Sequence, residues 1–227
     1  MIKLCEVPIR TLSLALLLML YQLPTIAGSI NPDDVNIYKT IDKQHKYPND
    51  SVVFIGSSSI KRWHTLAQDM SPINVIQRGF NAAKLADINK LLEQLVIPHK
   101  PKQVVIFAGV NDLAIPPTVS PSDVYDSFLQ FVEIIHNKLQ DCTIYFIAIS
   151  PAPARWNLWQ DAKEVNHRIK EYAKQHHQVV FIETDFYFLN ENKKPVISLF
   201  AKDGIHLNND GYAIWKKLVS ATIIKPL

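Results

Sequence analysis

Five short apolar runs without polar alternation limit most strongly what this chain can fold into. They are Val52 to Ile55, Ile73 to Ile76, Val104 to Ala108, Thr143 to Ile149 and Val179 to Ile182. A strand with one wet face alternates apolar and polar residues. A run of Val, Ile and Phe that does not alternate is covered on both faces. Between most of these runs the spacing becomes helical, over Leu85 to Val96, to about Leu139, from about Gln160 to His176, and from about Asn209 to Ile224. Ser120-Pro121-Ser122-Asp123 is a helix start, with a capping serine, proline at the first position and an early carboxylate. This alternation predicts a doubly wound, five-stranded parallel sheet with helices on both faces. At 227 residues, 48% of them hydrophobic, the chain can fill one such domain and has little left for a second. We place that domain at residues 51–227, preceded by an extension over 28–50.

The first residues have a different character. Lys3 and Arg10 give a basic start, Thr11 to Leu23 is almost wholly apolar, and Pro24 ends the run. Thr25-Ile26-Ala27 then puts small residues where a signal peptidase cuts. Residues 1–27 therefore read as a secretory signal, and the protein as exported to the periplasm or beyond. An uncleaved anchor is the other reading. The run is shorter than the roughly 20 residues a membrane span needs, so no span is expected once the signal is removed.

Charge and cysteines narrow the function classes. The formal charge of +3, with no Lys/Arg run, gives no footing for nucleic acid. Beyond the signal the chain has one cysteine, Cys142, and so no internal disulfide. Cys142 heads an apolar strand, which suits a buried, inert thiol.

In a doubly wound sheet, ligands bind beyond the carboxyl ends of the strands. Two polar segments follow strands directly and should meet there. Gly56-Ser57-Ser58-Ser59-Ile60 follows the first run, and Gly109-Val110-Asn111-Asp112 follows the third. A third segment, Asp203-Gly204-Ile205-His206, comes after a longer excursion from the last strand. Together they hold a hydroxyl, an amide donor, a base and an orienting acid, the inventory of serine ester hydrolysis. Ser58 is the candidate nucleophile, with Ser57 and Ser59 as competitors, although a turn with capping serines would read the same way. A phosphate loop lacks its Gly-Lys-Ser/Thr ending. Asn111 can aim its amide at an oxyanion or simply make a turn, and Asp112 can brace that loop. His206 can act as base with Asp203 holding its ring. Alternatively the segment is a surface loop before a helix capped by Asn208. His45, His64, His99, His136, His167, His176 and His177 fall in polar settings and read as solvated. His176-His177 comes nearest to a metal site but has no ligand-spaced partner, and serine ester hydrolysis needs no metal or organic cofactor.

The order and spacing of these segments resemble the SGNH/GDSL hydrolase family, from about Val52 to Leu218, and that resemblance implies a three-layer α/β/α sandwich with a flavodoxin-like sheet. The likeness is closest to a bacterial branch whose first block reads Phe-Ile-Gly-Ser-Ser-Ser-Ile. By that resemblance Ser58 is the nucleophile, and Ser57 stands where other members carry Asp. Asn111 matches the family's Asn block, Asp203 and His206 match its last block, and Ser150 to Trp156 is similar to the branch as well. One block departs. Where the family has a Gly pair, this chain has Asn81-Ala82, which puts Ala82 at the position of a backbone oxyanion donor. We expect Ala82 to sit there unstrained, with negative φ, completing a hole made by the Ser58 and Ala82 N–H groups and the Asn111 amide. Trp63, Arg155, Trp156 and Trp159 could wall a site for an acyl chain or a sugar ring. The resemblance implies a small-molecule, lipid or glycan ester as substrate. A non-catalytic envelope binding module on the same fold, or an acyltransferase using the same acyl-enzyme, are the alternatives.

Overall fold

A computed structural model describes residues 30–223. The signal sequence read at residues 1–27 lies outside the described residues. Five strands, β1 Val52–Gly56, β2 Val75–Gly79, β3 Gln103–Phe107, β4 Thr143–Ile147 and β5 Val179–Ile182, form one parallel sheet in the order β2-β1-β3-β4-β5. This is the flavodoxin-like order, and the chain reverses direction across the sheet between β1 and β3.

Successive strand residues feed opposite cores, which is why the runs show no polar alternation. Val53, Ile55, Val104, Ile106, Ile144 and Phe146 meet one set of helices. These are α4 Leu85–Asn89, α5 Leu92–Leu95, α7 Pro121–Lys138 and α8 Trp159–Gln175. Val52, Phe54, Val105, Phe107, Tyr145 and Ile147 meet the other set. Those are α2 Ser58–Lys61, α3 Leu66–Asp69 and α9 Asn209–Thr222. The capping box expected at Ser120 is present, with Ser120 Oγ accepting from Asp123 N–H and the Asp123 carboxylate accepting from Ser120 N–H. Asn208 caps α9 by accepting from Asp210 and Gly211 N–H.

Three local expectations shift. β2 begins at Val75 rather than Ile73 and runs on through Gln77 and Arg78. Its polar residues obscured it in the sequence, because their partners are tertiary: Gln77 Nε2 donates to the carbonyls of Ile60 and Trp63. The single helix expected over Leu85 to Val96 is two, α4 and α5, on one apolar face. The break follows Asn89, whose buried amide donates to Ser127 O and Gln130 Oε1 on α7. His99 is not solvated: its Nε2 lies 3.2 Å from an Arg78 nitrogen and 3.3 Å from Asp42.

That contact belongs to a clamp on the segment before β1. Helix α1, Pro32–Gln44, lies against the β2 edge of the sheet. The Tyr38 hydroxyl donates to Gly79 O at 2.8 Å and accepts from Gly79 N–H at 3.1 Å, so one side chain satisfies both backbone groups of Gly79 at the sheet edge. Asp34 pairs with Lys61 and Asp42 with the buried Arg78. Arg78 also lies over the rings of Tyr38 and Tyr47. Cys142 is buried as expected, and burial pushes its thiol up to about 12. Among the described residues no helix is long and apolar enough to cross a membrane.

Candidate active site

The serine segment is held by contacts that admit no side chain at Gly56. A Cβ there would lie 2.3 Å from the Phe107 carbonyl oxygen, so β1 and β3 approach closely where β1 ends. That same carbonyl accepts from Ser57 N–H at 3.0 Å. The turn places Ser57 and Ser59 in the protein interior and leaves Ser58 half-buried at the first position of α2. The Tyr212 hydroxyl donates to Ser59 O, which fixes α9 to this turn.

The Asp203 loop arrives from the other side. His206 Nε2 lies 2.8 Å from Ser58 Oγ, and His206 Nδ1 lies 2.6 Å from Asp203 Oδ2. The other Asp203 oxygen accepts from the N–H groups of Ile205, at 2.9 Å, and His206, at 3.0 Å. Burial raises the Asp203 carboxyl, but these N–H bonds and the imidazole outweigh it and hold the group well below the usual carboxylate range. An ionised carboxylate only accepts, so Nδ1 carries the ring proton and Nε2 is left to accept from the Ser58 hydroxyl. Ala201 N–H donates to His206 O, and Ala154 N–H donates to Gly204 O, which fixes the loop at both flanks. Ser58, His206 and Asp203 are thus brought together as one hydrogen-bonded relay. Neither Ser57 nor Ser59 takes Ser58's place on the imidazole.

The Gly109 turn brings up Asn111. Gly109 has φ +109°, a conformation that favours glycine, and starts α6, Val110–Ala114. Asn111 is buried. Its Nδ2 donates to Ala83 O at 3.0 Å, and its Oδ1 accepts from Arg155 Nη1 at 2.8 Å. A carbonyl can only accept and a guanidinium can only donate, so the amide has one orientation and its second N–H is left for a ligand. Asp112 braces the same region as expected, both its oxygens accepting from Leu85 N–H at the start of α4. Desolvation raises its carboxyl to about 6.

Ala82 departs from expectation. Its φ is +55°, in the left-handed region, rather than negative. A left-handed backbone disfavours alanine, at a cost of about 1–2 kcal/mol. Among the described residues the Ala82 N–H meets no hydrogen-bond acceptor.

Of the residues expected to wall the site, Arg155 does so. It lines a small cavity with Ser58, Asn111, Phe107 and Trp215. Trp63 does not. It is wholly buried, stacks on Tyr212 and donates from Nε1 to Asp69, so it belongs to the core beneath α9. Trp156 stacks on Trp159 and lies outside the cavity lining, with Lys194 over its ring. Trp159 is buried in the core against the sheet. Among the described residues no group of three His, Cys, Asp or Glu side chains could hold a metal ion.

The flavodoxin-like sheet thus carries a hydrogen-bonded Ser-His-Asp arrangement beyond the ends of β1 and β3. Residues 50–214 match the GDSL-like lipase/acylhydrolase family, and the chain belongs to that family. Its members are lipases and acylhydrolases, which places this protein among the ester hydrolases. No curated protein matches the sequence. Solved structures share the fold. A GDSL-like lipase from Bacteroides thetaiotaomicron superposes with a TM-score of 0.71 at 24% identity, over 82% of this chain and 95% of that one. A lipase/acylhydrolase from Enterococcus faecalis gives 0.61 at 18% identity, over 76% and 94%. A catalytic mutant of Axe2, an acetylxylan esterase from Geobacillus stearothermophilus, gives 0.62 at 17% identity, over 77% and 94%.

Proposed function

We propose that this protein is an exported carboxylic ester hydrolase that works through an acyl-enzyme on Ser58. The observation that carries the reading is the unbroken relay from Ser58 Oγ through His206 to Asp203. Ser58 Oγ attacks the ester carbonyl while His206 Nε2 takes its proton, and Asp203 stabilises the imidazolium that forms. The carbonyl oxygen becomes an oxyanion held by the Ser58 N–H, the Ala82 N–H and the free N–H of Asn111. The bond to the alcohol then breaks, and the alcohol oxygen takes the proton from His206. Water, deprotonated by the same imidazole, cleaves the acyl-serine and restores the free enzyme. Export rests on the basic start, the apolar run and the small residues before Ala27.

Steady-state hydrolysis of p-nitrophenyl acetate by the protein and its Ser58→Ala variant tests the reading. Loss of kcat by several orders of magnitude in the variant is expected, because members of such a relay act as a unit. An equally active Ser58→Ala protein would refute it. Product analysis with added alcohol or sugar acceptors separates hydrolysis from acyl transfer. Hydrolysis gives the free acid at an undiminished rate.

A further inference from the structure

Two cavities flank the relay, and they differ in a way that bears on the substrate. The first touches Ser58 and Asn111 and has a volume of ≈ 20 Å³, room for about one water-sized group. Its floor is Phe107 and Trp215, whose rings pack at 4.7 Å, and its sides include Val110, Ala152 and Leu207. The second opens on the far side of His206 and measures ≈ 450 Å³. Its lining mixes the donors and acceptors of Arg62, His64, Asp69 and Lys216 with the apolar surfaces of Leu207 and Tyr212.

The chemistry assigns a substrate half to each. Once Ser58 has attacked, the acyl carbon is bonded to Oγ and its oxygen faces Asn111, so the acyl substituent enters the cavity that touches those two residues. The leaving oxygen is the one His206 protonates, so the alcohol extends into the space that His206 borders. We infer that the acyl group is acetyl-sized and the alcohol a bulky, polyhydroxylated one, so that the substrate class is acetylated carbohydrate. This rests on Ser58 being the nucleophile. A methyl group fills the small cavity. A longer chain would have to displace Phe107 and Trp215, which are 4% and 0% exposed and close-packed against the sheet. A fatty alcohol or lipid tail would leave the groove's donors and acceptors unpaired, whereas sugar hydroxyls can pair with them while a ring face lies on Leu207 or Tyr212.

The test uses p-nitrophenyl acetate, butyrate and octanoate, then glucose pentaacetate against hexyl acetate, with diisopropyl fluorophosphate labelling in parallel. From acetate to octanoate, kcat/KM should fall by about 100-fold or more, in line with the discrimination a close-packed pocket achieves. Acetate release should be faster from the sugar ester than from hexyl acetate. Val110→Ala removes one half-buried wall of the small cavity and should raise the butyrate-to-acetate ratio while acetate turnover shows that the variant is folded. Octanoate turned over as fast as acetate would overturn the acyl-size inference, and a preference for hexyl acetate would overturn the carbohydrate half. In either case a label on Ser58 leaves the nucleophile standing. Absence of both labelling and turnover would instead remove the nucleophile and the inference together.

Discussion

Arg155 donates from Nη1 to Asn111 Oδ1 at 2.8 Å, and this contact, with Ala83 O on the amide nitrogen, determines which way Asn111 faces. Among the described residues no carboxylate pairs with Arg155. Its half-buried charge is therefore spent on the amide and on the cavity beside Ser58. Burial lowers the Arg155 guanidinium from its ordinary value.

On the proposed mechanism Arg155 is a positioning residue for an oxyanion donor. Asn111→Ala should cost roughly 2.7–4 kcal/mol in kcat, the usual loss for one donor. Arg155→Met should lower kcat with little change in KM, and Arg155→Lys should recover only part of it, since a point charge cannot reproduce the planar fork. In a double-mutant cycle the two losses should overlap rather than add. Fully additive losses would show that Arg155 acts elsewhere.

Ala82, at φ +55°, yields a prediction about stability. Ala→Gly ordinarily destabilises by roughly 0.5–1 kcal/mol through chain entropy. Here the left-handed backbone costs alanine about 1–2 kcal/mol, so the balance reverses. Urea unfolding of Ala82→Gly should give a midpoint equal to or above that of the wild type. A clear fall would mean that the strain is relieved by contacts of the alanine methyl.

Asp112 should make stability depend on pH. Its carboxyl is raised by desolvation from 3.8 to about 6 on folding, so between those values the native state holds a proton that the unfolded chain has lost. The stabilisation from that proton is complete below about pH 4 and is lost as pH rises through 6. Asp112→Asn keeps an acceptor for Leu85 N–H and removes the titration. Denaturation of both proteins at pH 4 and pH 7 should show the variant gaining on the wild type by a few kcal/mol, on the order of two pKa units. An unchanged difference would place the Asp112 titration outside that window.

Asp203 behaves in the opposite sense. Its carboxyl is held well below the usual range, so it stays ionised wherever the enzyme is assayed. The acid limb of kcat/KM should therefore contain no Asp203 ionisation. Asp203→Asn should keep the fold and the half-buried relay geometry while lowering kcat, because an amide can present the wrong group to Nδ1. Circular dichroism with a pH-rate profile checks both points. A fully active Asp203→Asn would mean that another group orients His206.

What could be read from the sequence follows from how local each feature is. Asp203 and His206 are three residues apart, and their shared loop is written in one segment, so the pair was legible. The strands were legible where both faces are apolar, as in Val52 to Ile55, and misplaced at β2, where Gln77 and Arg78 take tertiary partners. The Arg78–Asp42 pair spans 36 positions and the Arg155–Asn111 pair spans 44. No local pattern announces contacts of that kind. Trp63 and Trp156 have the same chemistry, and only the packing of α9 shows that Trp63 is core. The dihedral at Ala82 is set by its loop as a whole, so its residue type alone pointed to the wrong sign.

The central claim is that Ser58, among three adjacent serines, is the one acylated. Treating the active protein with diisopropyl fluorophosphate and mapping the adduct by tandem mass spectrometry tests it most directly. The expected result is one stoichiometric adduct on Ser58 that is lost in the His206→Ala variant. An adduct on Ser57 or Ser59, or undiminished ester hydrolysis with Ser58 unmodified, would contradict it.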